Sequence, residues 1–173
     1  MRMFEKMFAS SFLVCVLAFT CVNAQNLDEE SVKKVILNEA EYFQNKNFEG
    51  WSESYASVPG FLWCVTNGGE PGDVITFRNL EELKSTAKKF IFDNKASVPK
   101  TESPKVTNAD WNIQIRDDVA LVHFRTIIEE APAQKLETTE MRVLERHNGS
   151  WKIVMLTSLW DFKDAVPPKR SSY

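Results

Sequence analysis

The sequence is poor in the residues that cross-link small exported proteins. It contains three cysteines, and two of them, Cys15 and Cys21, lie in an apolar N-terminal run that has the features of a cleaved leader. Only Cys64 would remain in the mature chain, which excludes an internal disulfide. We expect Cys64 to be a small buried hydrophobe, with a reactive thiol as the alternative.

Signals for metals, cofactors and nucleic acids are also missing. The two histidines, His123 and His147, are far apart in the sequence and neither belongs to a metal-ligand motif, so no metal site is predicted. The sequence has no P-loop, no glycine-rich dinucleotide-binding motif and no G-x-S-x-G motif, and we predict no cofactor. A formal net charge of -3 argues against nucleic acid as a partner.

The longest apolar run lies at the N-terminus. Arg2 and Lys6 precede the run Phe8–Phe19, and Val22-Asn23-Ala24 then forms a small-residue cleavage site before Gln25. This order is that of a secretory signal peptide, and the run is shorter than the roughly 20 residues of a membrane span. We predict a chain cleaved after residue 24, secreted or periplasmic and free of the membrane. An uncleaved membrane anchor is the alternative.

Removal of 24 of the 173 residues leaves a chain of the size of one ordinary domain. We assign residues 25–165 to this domain and residues 166–173 to a disordered tail. Helical periodicity predicts helices over about 26–43, 48–55 and 79–91.

The rest of the domain is predicted to be strand, most of it after the helices. This order predicts an α+β fold with the helices packed on one side of a single antiparallel sheet. The predicted strands are Phe61–Thr66, Val74–Phe77, Val106–Arg116, Val119–Glu130, Leu136–Arg146 and Trp151–Phe162.

Asn148-Gly149 predicts a hairpin between the last two strands. Both residues adopt the positive φ of a two-residue type I′ turn, so His147 should pair with Ser150. Counting outward pairs Leu144 with Ile153, Arg142 with Met155 and Glu140 with Thr157. One face then mixes charged and large apolar residues: Thr138, Glu140, Arg142, Leu144, Trp151, Ile153, Met155 and Thr157. The other face is apolar: Met141, Val143, Val154 and Leu156.

The preceding strand extends this mixed face. The symmetric pairing sets Arg125 opposite Glu140 and His123 opposite Arg142, with Val122 and Phe124 on the apolar face. A register shift of two residues would keep this partition, whereas a shift of one residue would reverse it.

Charged residues in the middle of strands, flanked by large apolar ones, are typical of a pocket wall and are costly to bury unpaired. Glu140 can balance one arginine, which leaves the guanidinium of the other, Arg125 or Arg142, free to bind an anion. The alternative is a solvated face whose charges are ordinary cross-strand pairs. Further candidates for the cavity are Trp51, Trp63, Met155 and Thr157.

Three segments carry a family resemblance: Asn45-Lys-Asn-Phe-Glu-Gly-Trp51, Asp117-Asp-Val-Ala-Leu-Val-His-Phe-Arg125 and Glu140-Met-Arg-Val-Leu-Glu-Arg-His-Asn-Gly-Ser-Trp-Lys-Ile-Val154. They resemble segments of the nuclear transport factor 2-like (SnoaL-like) superfamily, and most closely those of the association, or hub, domain of calcium/calmodulin-dependent protein kinase II and its stand-alone bacterial relatives. The resemblance implies a cone-shaped single domain in which a curved antiparallel sheet, with about three helices on its concave side, surrounds a pocket.

The resemblance also implies roles for individual residues. Arg125 and Arg142 match the two arginines with which the hub pocket binds carboxylates, and Glu140 matches their acidic neighbour. The H-x-H motif of the hub is Met155-Leu-Thr157 in this sequence, so an activity that needs those histidines is not implied. The superfamily contains isomerases, cyclases, dehydratases and proteins without known catalysis, so the fold does not settle the function.

We therefore predict an exported, non-catalytic protein that binds a small organic anion, a carboxylate in particular, through Arg125 and Arg142. The alternative is an isomerase- or lyase-type enzyme with Glu140 or His123 as general base. A third possibility is an oligomerisation module. A sheet-to-sheet homodimer is predicted because one apolar face should remain outside the helices: Val122, Phe124, Met141, Val143, Val154 and Leu156.

Overall fold

A computed structural model describes residues 27–66, 74–93, 105–131 and 134–160. The predicted leader, residues 1–24, and the predicted tail, residues 166–173, lie outside the described residues. Within those ranges, no helix is long and apolar enough to cross a membrane.

Three helices form the first layer of the domain. The side chain of Asn79 caps the third helix by accepting hydrogen bonds from the backbone N–H groups of Glu81 and Glu82 at 2.8 and 3.2 Å. The helices are α1 (residues 27–44), α2 (Phe48–Glu53) and α3 (Leu80–Ala87), and α3 continues as a π-helical turn over Lys88–Phe92.

Six strands of the described residues form one curved, open sheet. They are β1 (Leu62–Thr66), β2 (Val74–Phe77), β3 (Lys105–Arg116), β4 (Val119–Ala131), β5 (Gln134–His147) and β6 (Ser150–Trp160). Their order in the sheet is β2-β1-β6-β5-β4-β3, and neighbouring strands are antiparallel, except that β1 lies parallel to β6. The four strands predicted after the helices thus pair in sequence, and the hairpin of β1 and β2 joins the last of them.

The hydrophobic core lies between the helices and one face of this sheet, which we call the inner face. Burial of this apolar surface is the main driving force for the fold. The core includes Val32 and Ile36 of α1, Trp51 of α2, Leu80 and Leu83 of α3, and Val122, Phe124, Leu144, Ile153 and Leu156 of the sheet. The predicted α+β class, with helices on one side of the sheet, is confirmed.

The turn at Asn148-Gly149 forms as predicted, but the register changes farther along the hairpin. His147 pairs with Ser150, and Leu144 pairs with Ile153. Val143 then pairs with Met155, so Val154 is an extra residue and forms a β-bulge. A single extra residue exchanges the two faces of the strand beyond it.

As a result, the predicted places of Met155 and Thr157 on the wall of the cavity are wrong. Arg142 pairs with Leu156, and Glu140 pairs with Ser158, so Leu156 and Ser158 lie on the inner face. Met155 and Thr157 lie on the opposite face, which we call the outer face.

The pairing of β4 with β5 differs from the prediction for the same physical reason. Ala131 pairs with Gln134, in agreement with the symmetric pairing, but a register shift between Glu129 and Ala131 displaces the rest by one residue. Val122 therefore pairs with Arg142, and Phe124 pairs with Glu140.

This shift moves two predicted site residues out of the cavity. Arg125 pairs with Thr139, and His123 pairs with Met141, both on the outer face. The predicted outer patch is corrected accordingly: Val122, Phe124 and Leu156 belong to the core, Val154 is buried at the bulge, and Met141 and Val143 remain outside.

Candidate functional site

A cavity of about 380 Å³ lies between α1 and the inner face of the sheet. This volume is within the range of small-molecule sites, roughly 300–1,000 Å³. Its wall is largely aromatic and aliphatic, with a few polar groups. The polar lining residues of α1 and the sheet are Glu39, Gln44, Asn108, Thr126, Glu140, Arg142 and Ser158.

Arg142 and Glu140 form a buried ion pair in the wall of this cavity. Arg142 Nη1 donates to Glu140 Oε2 at 2.9 Å, and only 8% and 7% of the two side chains are exposed. The two residues are two apart on β5, so their side chains share a face of the sheet, and this is the inner face. Glu140 Oε1 also accepts hydrogen bonds from the hydroxyls of Thr138 and Ser158, at 2.5 and 2.7 Å. The three donors, Arg142, Thr138 and Ser158, thus fix the orientation of the Glu140 carboxylate.

Toward the described residues, the guanidinium of Arg142 uses only one of its nitrogens, Nη1, in hydrogen bonds. Besides the bond to Glu140, Nη1 donates to the carbonyl oxygens of Met141 and Thr157 at 3.1 and 3.2 Å. Nε is buried without a partner in the described part of the chain, and no hydrogen bond of Nη2 occurs there. Nε and Nη2 share the second edge of the planar group, which is the fork that binds a carboxylate with two parallel hydrogen bonds. We call it the free edge of Arg142.

The ring of Phe124 supports the same guanidinium. Arg142 Cζ lies 5.5 Å from the centroid of this ring, within the distance of a cation–π contact. Phe124 in turn stacks on Trp111, with centroids 4.4 Å apart and an angle of 11° between the planes. Packing from β3 and β4 therefore holds Arg142 in place.

Glu39 of α1 is a second buried carboxylate at the cavity, and the sequence analysis missed it. Its Oε1 accepts hydrogen bonds from Trp51 Nε1 at 2.8 Å and from the Tyr55 hydroxyl at 2.7 Å. Its Oε2 makes no hydrogen bond within the described ranges. A signal for Glu39 existed, because it continues the helical spacing of the buried residues Val32 and Ile36.

The pKa of the buried Tyr55 hydroxyl is shifted by its surroundings. Burial raises the pKa of its hydroxyl well above the ordinary value, the Glu39 carboxylate raises this pKa further, and Arg142 lowers it. The phenol is thus protonated at neutral pH and donates to Glu39.

Both predicted tryptophans line the cavity. Trp51 is buried and packs against Tyr55, with ring centroids 5.2 Å apart. Trp63 of β1 packs against Phe77 of β2 at 5.8 Å. The structure therefore brings together four of the predicted residues, namely Trp51, Trp63, Glu140 and Arg142.

Arg125 does not contribute to this cavity. On the outer face it pairs with Asp110 and Glu137, and its hydrogen bond to Glu137 is 2.9 Å long. Pairing with Asp110 raises the pKa of Arg125. His123 is exposed on the same face. The predicted position of these two residues on the same face as Arg142 is wrong, because the register shift in β4 directs them away from the helices.

A second cavity, of about 390 Å³, lies between α1, α2 and the turn of the last hairpin. Its Arg146 pairs with Asp28 at 2.9 Å and lies 4.3 Å from the ring of Trp151. Lys152 donates to the backbone carbonyl of Glu53. Both cations thus have partners within the protein.

Among the described residues, no group of three or more His, Cys, Asp or Glu side chains is arranged to hold a metal ion.

No family model and no curated protein matches the sequence. Solved structures do match the fold. An NTF2-like protein of unknown function from Pseudomonas putida superposes with a TM-score of 0.60 at 12% identity, over 82% of this chain and 92% of that one. The beta subunit of benzoate 1,2-dioxygenase from Burkholderia mallei gives 0.59 at 13% identity, over 75% and 88%.

The CaMKII hub of S. rosetta gives a TM-score of 0.57 at 18% identity, over 76% of this chain and 95% of the hub. At these identities the similarity concerns the fold and not the function. The six-stranded sheet, the three helices on its inner face and these structural neighbours show that the chain has the nuclear transport factor 2-like fold.

Proposed function

We propose that the cavity between α1 and the sheet binds a small organic acid. The observation that carries this proposal is the free edge of Arg142, where Nε is a buried donor without a partner, in a largely apolar wall. A buried donor without a partner is costly, and a carboxylate on this edge would offset that cost with two charge-assisted hydrogen bonds. The aromatic part of the wall would contact the apolar body of the ligand.

The geometry favours binding over acid–base catalysis by the predicted residues. Both oxygens of Glu140 already accept hydrogen bonds, from Arg142, Thr138 and Ser158, so contact with a substrate proton would require one of these bonds to break. His123 is on the outer face.

The binding proposal is tested by calorimetric titration with 3-phenylpropanoate and its neutral amide, 3-phenylpropanamide. The two probes share one apolar body and differ in the group that would meet Arg142. We expect the acid to bind about tenfold or more tightly than the amide, as hydrogen bonds to charged groups contribute about 1.5–3 kcal/mol.

An Arg142→Lys variant keeps the positive charge and removes the planar fork, so it should lose this preference. Arg146→Lys, in the second cavity, is the matched control and should keep it. Equal binding of acid and amide to the wild-type protein, or unchanged binding of the acid to Arg142→Lys, would contradict the proposal.

Two further properties are proposed on other grounds. Export from the cytoplasm rests on the leader sequence, residues 1–24. Homodimer formation rests on the outer face, where Leu121 and Leu159 are 42% and 43% exposed and Met141, Val143 and Met155 are half-buried. A second copy of the chain could cover these apolar side chains.

A further inference from the structure

The hydrogen-bonding capacity of Glu39 is only half used. Oε1 accepts two hydrogen bonds, from Trp51 and Tyr55, whereas Oε2 accepts none within the described part of the chain. Glu39 is 7% exposed and belongs to the wall of the cavity. A carboxylate oxygen that accepts no hydrogen bond from the protein is available to a donor group of a ligand.

The charges around the cavity are also unequal. Among its described lining residues, Arg142 is the one basic side chain, and it is paired with Glu140. Glu39 then has no positive partner in the wall. A simple anion on Arg142 would add a further negative charge to a low-dielectric site that already holds an unbalanced carboxylate.

We infer that the ligand carries an amine as well as a carboxylate, so that its ammonium group donates to Glu39 while its carboxylate meets the free edge of Arg142. The ligand class is then a small amino acid with an apolar side chain. This inference rests on the proposed function, since it adds a second contact to the same ligand. The lining of the cavity supports it, because Glu39 and Arg142 belong to the wall of the same cavity.

The inference predicts whether an added amine strengthens or weakens the binding of an acid. An ammonium group that enters a cavity without an acceptor loses its hydration and weakens binding. The same group next to an unpaired carboxylate gains a charge-assisted hydrogen bond and strengthens binding. Adding an amine to an otherwise identical acid therefore distinguishes the two situations.

Calorimetric titration of the wild-type protein with phenylalanine, as both enantiomers, and with 3-phenylpropanoate makes this comparison. We expect at least one enantiomer to bind about tenfold more tightly than 3-phenylpropanoate. Glu39→Gln should remove this advantage. Glu41→Gln, which changes an exposed residue of the same helix, is the control and should retain it.

The outcomes separate this inference from the proposed function. If 3-phenylpropanoate binds in an Arg142-dependent manner and phenylalanine binds no better, the amine contact is wrong and the acid site stands. If neither probe binds at millimolar concentration, both proposals fail. The comparison of the two probes on the wild-type protein decides the inference even if Glu39→Gln does not fold, which circular dichroism would show.

Discussion

Arg142 and Leu156 face each other across β5 and β6, although the turn at Asn148-Gly149, extrapolated without interruption, pairs Arg142 with Met155. The difference of one residue is caused by the bulge at Val154. It places a core side chain beside the guanidinium and brings the Ser158 hydroxyl within 2.7 Å of Glu140. The site therefore depends on the bulge.

The two hydroxyls at the end of β6 test this register. Ser158→Ala should lower the free energy of unfolding by about 1.5–3 kcal/mol, because it removes a hydrogen bond to the charged, buried Glu140. Thr157→Val changes a hydroxyl on the outer face and should have an effect of about 0.5 kcal/mol or less. Urea unfolding of the two variants gives both values. A larger loss of unfolding free energy for Thr157→Val than for Ser158→Ala would support the uninterrupted register instead.

The two arginines that the family resemblance singled out should differ in their contribution to stability. Arg142→Ala leaves the buried Glu140 without its charge partner and should cost about 3–5 kcal/mol. Arg125 is 42% exposed, and its pairs with Asp110 and Glu137 are in contact with solvent, so Arg125→Ala should cost about 1 kcal/mol or less. Denaturant unfolding of both variants measures the difference. Similar losses would mean that Arg125 is as deeply packed as Arg142.

The fold could be predicted from the sequence because its signals are local. Helical periodicity and the Asn-Gly turn predicted the element order and the packing of the helices on one side of a single sheet. The pair next to the Asn-Gly turn, His147–Ser150, was predicted correctly. Farther along the four long strands, however, each pair of neighbours contains one extra residue in one strand, which shifts the pairing by one position.

Such bulges could not be predicted, because the strand sequence is compatible with either assignment of its residues to the inner and outer faces of the sheet. Ile153, Val154, Met155 and Leu156 are consecutive apolar residues, so each alternation is compatible with a buried face. Packing against the helices decides between them, and it selects Leu156. Glu39 was missed for a different reason: its partners, Trp51 and Tyr55, come from 12 and 16 residues farther along the chain.

Tyr55 should make the stability of the protein depend on pH in the alkaline range. Its pKa is raised in the folded state, so its contribution is fully present below the ordinary pKa of about 10 and is lost as the pH rises above it. We expect the free energy of unfolding to fall by up to about 1.4 kcal/mol per pH unit above pH 10. Urea unfolding from pH 9 to pH 11 should show this slope in the wild-type protein and a smaller one in Tyr55→Phe. Identical slopes would contradict the buried hydrogen bond to Glu39.

The leader makes a prediction that is independent of the site. If residues 1–24 are cleaved, mass spectrometry of the exported protein should identify Gln25 as the N-terminal residue, in part cyclised to pyroglutamate. Replacing Ala24 with a bulky residue should slow the cleavage, because the signal requires small residues there. An intact leader on a protein recovered from the cytoplasm would refute export.

The outer face of the sheet provides the last prediction. Helices cover the inner face, and the described residues of the outer face are half-buried or exposed, apart from Val154 at the bulge. If a second copy covers this face, light scattering at tens of micromolar should give the mass of a dimer. Val143→Glu should then shift the mass to that of a monomer and leave the circular dichroism unchanged, because a charge would be buried between the sheets.

Leu37→Glu, at a position of α1 that is 46% exposed, introduces the same charge away from the sheet and should leave the dimer intact. A monomeric wild-type protein would exclude the dimer, and unfolding of Val143→Glu would show that Val143 is part of the core.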